Sequence, residues 1–113
     1  MPEKSQPPNG ETAEMRRLRR RIDALDRKIV ALLNERAELG VAVGQAKVDA
    51  GRRAMRDGER EREVLLRVAM ANEGPLPQED LLAVYRRLIA ATRALEHRER
   101  DLSRRNHSGS DEG

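Results

Sequence analysis

The chain has 113 residues, 38% of them charged, and a mean hydropathy of −0.84, so it can build one modest domain with a thin core. It lacks cysteine, tryptophan and phenylalanine, and Tyr85 is its single aromatic residue, which excludes disulfides and cysteine-ligated metal. Its net charge of +3 comes from 23 Lys and Arg against 20 Asp and Glu, a balance too evenly mixed to imply nucleic acid.

Residues 1–11 are rich in Pro, Asn, Gly and Ser and are expected to form a disordered leader. No apolar run of signal-peptide type occurs there, and no later segment could span a bilayer, so the expected compartment is the cytoplasm. A helical domain is expected over residues 12–101. Its first helix begins near Thr12 or Glu14 and runs to about Ala50, a length of roughly 55 Å at the usual rise. Leu18, Ile22, Leu25, Ile29, Leu32, Leu39 and Val43 recur in steps of three and four along it. A helix this long needs a cover, and a second copy of itself is the cheapest one. The step after Leu32 lands on Arg36, and the step after Val43 lands on Lys47. The two cations share a face about three turns apart. A cation on a buried face is costly unless an anion meets it, and a substrate would supply one.

Arg16, Arg17, Arg19, Arg20 and Arg21 read as a solvated face, with no aromatic residues or binding motif to suggest nucleic acid. Arg19 lies at the edge of the apolar stripe, one turn before Ile22. It is roughly 25 Å along the axis from Arg36, so it cannot reach that site in its own helix. In an antiparallel partner it could.

Gly51 to Arg56 breaks the pattern as a loop. Asp57 resembles an N-cap, and Glu59 and Glu61 suit the first turn of a second helix. Val64, Leu65 and Val68 mark its inner face, which Glu61 shares, although a first-turn dipole partner is the simpler reading of Glu61. The segment NEGPLP, residues 72–77, is a helix-breaking link. A third helix follows from Gln78 to about Arg100, with Leu81, Leu82, Tyr85, Leu88, Ile89 and Leu95 inward. Thr92 and Glu96 fall on the same stripe. A backbone carbonyl can satisfy such a Thr, and a Glu near a helix end can reach water. Residues 102–113 are polar and are expected to be a disordered tail. His97 and His107 have no metal-ligand spacing.

Arg36, Lys47, Glu61, Thr92 and Glu96 thus all face the core. Cations beside uncharged donors suit a small dicarboxylate, with Arg offering a planar fork and Lys a point charge. No nucleophile–base pair, phosphate loop or metal site is recognisable, so any catalysis would rest on positioning and electrostatics.

Three stretches carry a resemblance: LRRRIDALDRKIVALLNERAELGVAVGQAK at 18–47, RDGERE at 56–61 and YRRLIAATRALE at 85–96. Together they resemble the all-α (AroQ-type) chorismate mutases over about residues 15–97. The resemblance implies an all-α fold with three helices per chain, a very long first helix, and an intertwined antiparallel homodimer with two sites. It implies rearrangement of chorismate to prephenate, a step of aromatic amino acid biosynthesis, with no cofactor, metal, nucleic acid or membrane. By position, Arg36 and Arg19 of the other chain would grip the two substrate carboxylates. Lys47 and Glu96 would flank the breaking ether oxygen. Asp57, Arg60 and Glu61 would fix the ring-hydroxyl end, and Thr92 would help seat the ring carboxylate.

The chain departs from the family pattern in three places. The loop from Lys47 to Asp57 is about a residue longer, lacks the usual Pro and carries Arg52 and Arg53. Gly58 follows the cap where a bulkier residue is frequent, and Glu96 stands where some relatives have Gln. An isochorismate-pyruvate lyase on the same scaffold is the nearest alternative. A non-enzymatic helical interaction module is the alternative of a different class.

Overall fold

The computed structural model describes residues 10–51 and 58–111, and those residues form three helices and no strand. The helices are α1 (Ala13–Asp49), α2 (Gly58–Ala71) and α3 (Gln78–Asp111). The leader up to residue 9, most of the loop after Gly51 and the expected cap Asp57 lie outside the described residues, as do residues 112–113. Two compact units divide the chain, Met1–Glu35 and Arg36–Gly113.

In the first unit α1 starts where the sequence places a cap. The Thr12 hydroxyl oxygen accepts the Met15 N–H at 3.1 Å, satisfying one of the amides that a helix start leaves without a partner. Arg17 pairs with Glu14 one turn back, and Arg19 pairs through Nε with Glu11. Leu18, Ile22, Leu25, Ile29 and Leu32 form the expected stripe, yet each is between 45% and 62% exposed. No apolar side chain among the described residues is buried. The single chain does not cover this stripe.

In the second unit the inner side of α1 differs from the one the apolar pattern suggests. Its half-buried residues are Arg36, Ala37, Gly40, Val41, Gly44 and Lys47, while Leu39 and Val43 remain exposed. The helix stops at Gly51, whose φ of +75° suits a residue without Cβ and whose N–H donates to the Val48 carbonyl at 2.9 Å. Lys47, in the last turn, complements the helix dipole.

α2 packs along α3. Val64, Leu65 and Val68 are half-buried, as are Leu81, Leu82, Tyr85, Leu88, Ile89 and Leu95, so the period read from the sequence gives the inner face of both helices. Between them Asn72 organises the turn: its Oδ1 accepts the Gly74 N–H at 2.9 Å and its Nδ2 donates to the Leu76 carbonyl at 3.1 Å. Gly74 has a φ of +82°. Glu79 and Asp80 then sit in the first turn of α3, favourable to its dipole.

The third helix runs past the expected end near Arg100 and continues to Asp111, through most of the expected tail. Polarity suggests disorder there, but no Pro intervenes and the first Gly is Gly109. Asp101 also stands four residues before Arg105, a spacing that supports a helix.

α1 approaches α3 through a missing side chain. A Cβ built on Gly40 would lie 2.5 Å from Thr92 Cγ2, too close for any real contact. Thr92 is buried, with 6% exposure, and its hydroxyl donates to the Leu88 carbonyl at 2.9 Å. Turning its methyl away would break that bond. Gly40→Ala is therefore expected to lower stability by about 1–2 kcal/mol, even though alanine is the better helix former by about 1 kcal/mol. Urea unfolding would show the loss, and adding Thr92→Ser, which removes the methyl, should restore most of it.

Candidate active site

Within the second unit the three helices enclose a cavity of about 490 Å³, a size usual for small-molecule sites. α1 contributes Arg36 and Lys47, with Leu39 and Val43 as apolar wall. α2 contributes Arg60, Glu61 and Val64 from its first two turns. α3 contributes Ile89, Thr92, Arg93 and Glu96. Four cations and two carboxylates therefore line the cavity, a positive excess suited to a dianion.

The spacing of α1 explains the first pair. Arg36 and Lys47 are eleven residues apart, three turns, and both are half-buried. The Arg36 guanidinium lies over the Tyr85 ring, 5.8 Å from its centroid, a distance at which the ring face attracts a cation. The lone aromatic residue thus restrains the fork that would meet a carboxylate.

On α2, Arg60 donates to Glu63 at 2.7 Å one turn on, and Arg67 reaches the same oxygen at 2.9 Å. Glu61 is turned the other way. Its Oε2 accepts from Arg93 Nη2 at 2.8 Å, joining α2 to α3 across the cavity wall. Glu96 lies against the backbone of α1, with its Oε2 3.4 Å from where a Cβ on Gly44 would be. Gly44 gives that carboxyl room to reach the cavity.

Six of the eight residues singled out from the sequence line the cavity: Arg36, Lys47, Arg60, Glu61, Thr92 and Glu96. Asp57 lies outside the described residues. Arg19 belongs to the first unit, where its side chain meets Glu11. The sequence reading missed Arg93. Its signal was its place one turn after the inward Ile89, obscured by the many arginines on exposed faces. Among the described residues no group of three or more His, Cys, Asp or Glu is placed to hold a metal ion, and no helix is long and apolar enough to cross a membrane.

The family model for chorismate mutase type II matches residues 18–97. The chain is 39% identical over 87 residues to a bifunctional chorismate mutase/prephenate dehydratase of Aquifex aeolicus, covering 74% of this chain and 24% of that protein. It is 40% identical over 78 residues to the bifunctional protein of the same description from Neisseria gonorrhoeae, covering 69% of this chain and 21% of that one. The chain thus spans about a quarter of the length of these relatives. Among solved structures, the form II chorismate mutase of Thermus thermophilus superposes with a TM-score of 0.70 at 30% identity, covering 75% of this chain and 96% of that one.

Proposed function

This chain belongs to the chorismate mutase type II family, and from that premise we propose that it rearranges chorismate to prephenate by holding and polarising one molecule. The observation that carries the reading is the cavity itself, where Arg36 and Lys47 on one helix face Glu61, Thr92 and Glu96 on the other two.

The reaction requires no nucleophile. The substrate must be kept in the compact conformer that brings the bonding carbons together. Arg36 and Arg19 of a second copy grip its two carboxylates. Lys47 donates to the ether oxygen, on which negative charge grows as the C–O bond stretches, so the contact strengthens toward the transition state. Glu96 donates to the same oxygen from the other side. Asp57, Arg60 and Glu61 hold the ring-hydroxyl end. Thr92 serves the ring carboxylate only by releasing Leu88, so its share in binding is small. The active form on this reading is an antiparallel homodimer, working in the cytoplasm without cofactor. The exposed stripe from Leu18 to Leu32 supports it, because a second copy would remove that apolar surface from water.

Glu96 can donate only while it carries a proton, and an ionised carboxylate would repel the developing oxyanion. Four cations line the same cavity, Arg36 and Lys47 from α1, Arg60 from α2 and Arg93 from α3, together with the carboxylate of Glu61. kcat is expected to fall as pH rises and Glu96 loses its proton in the complex. Glu96→Gln should flatten that profile, since the amide donates at every pH. A Gln variant that kept the wild-type profile would remove Glu96 from this role.

Incubation with chorismate and separately with isochorismate, assaying prephenate and pyruvate, tests the reaction. Prephenate from chorismate is the expected result. Pyruvate from isochorismate alone would assign the lyase reaction, and no product from either would leave a helical interaction module.

A further inference from the structure

The Glu61–Arg93 bond joins two helices across the cavity wall, and the roles proposed above do not use Arg93. We infer that Arg93 is a positioning residue: it holds the Glu61 carboxylate by Oε2 so that Oε1 meets the ring hydroxyl of the substrate. The inference rests on the mutase reading and deepens it.

Three observations support it. The partners stand 32 residues apart, on α2 and α3, so helix periodicity does not bring them together as it does Arg60 with Glu63. Their side chains are 45% and 29% exposed, a setting in which an ion pair adds little to stability. Both line the cavity, together with Arg36 and Lys47. A glutamate in the first turn of a helix has three rotatable bonds and would sample several rotamers without a partner. Released from Arg93, it would also turn toward the cations meant for the substrate carboxylates. Arg93 therefore orders the acceptor for the hydroxyl and keeps it from competing with the substrate.

A hydroxyl contact made equally in the ground state and the transition state shows in KM rather than in kcat. The test is steady-state kinetics of the full chain with chorismate for Arg93→Met and Arg93→Lys, each in the native and the Glu61→Gln background, with thermal unfolding in parallel. Arg93→Met is expected to raise KM about tenfold with kcat within about twofold, and Arg93→Lys to recover most of that rise. With Glu61→Gln already present, Arg93→Met should change KM by less than about twofold, because the partner it orders is no longer an anion. Unfolding midpoints should stay together. An equal rise of KM in both backgrounds would overturn the inference, and so would an unchanged KM in the native background. Failure of the unsubstituted protein to convert chorismate would instead sink the mutase reading, and this inference with it.

Discussion

Arg36→Ala is expected to lower kcat/KM for chorismate by about two to three orders of magnitude while leaving the chain as stable as before, or more so. Removing one partner of a desolvated, hydrogen-bonded charge pair costs about 2–5 kcal/mol, much of it from the charge left behind. Here that charge is a substrate carboxylate, so the loss falls on the complex. The free protein loses a half-buried cation that lies over the face of Tyr85, and relief of such a cation is neutral or stabilising. Arg36→Lys keeps the charge and discards the fork, so it should recover only part of the rate. Kinetics and urea unfolding on the same preparations check both halves. A variant that keeps its rate would remove Arg36 from the site, and one that unfolds would make it a structural residue.

Mixing Arg19→Ala with Arg36→Ala is expected to regenerate activity that neither variant has alone. If each site takes Arg36 from one chain and Arg19 from the other, a mixed dimer has one site lacking both groups and one site intact. Random re-association of equal amounts gives about half mixed dimers, each with one of two sites working, or about a quarter of the unsubstituted activity. The prediction follows from α1. Its stripe from Leu18 to Leu32 is exposed in the single chain, although these residues recur with the period of a packed face. Unfolding and refolding the two variants together, then assaying prephenate, makes the measurement. No recovery would mean that Arg19 serves its own chain or serves no site.

The sequence made most helix boundaries legible because they are set locally. Thr12 caps α1, Gly51 ends it, and the 72–77 link separates α2 from α3 through Asn72 and Gly74. The end of α3 was not legible, since polar composition suggests disorder whereas only a breaker residue stops a helix. Arg36, Lys47, Thr92 and Glu96 stood out as polar residues on apolar faces. Arg93 did not, because its partner lies on another helix and no spacing within α3 announces it. Gly40 and Gly44 were unreadable for a related reason. A helical glycine counts as a local cost until the neighbour that requires it is known, and those neighbours are Thr92 and Glu96.

The contact between Gly40 and Thr92 also restricts how this sequence can drift. The two positions behave as one: a methyl gained at 40 is tolerable only after one is given up at 92, so the order of the two changes matters. Lineages descended from such a chain should carry glycine opposite threonine, or a larger residue opposite a smaller one. The combination of a side chain at the first position with threonine at the second should be the rare one.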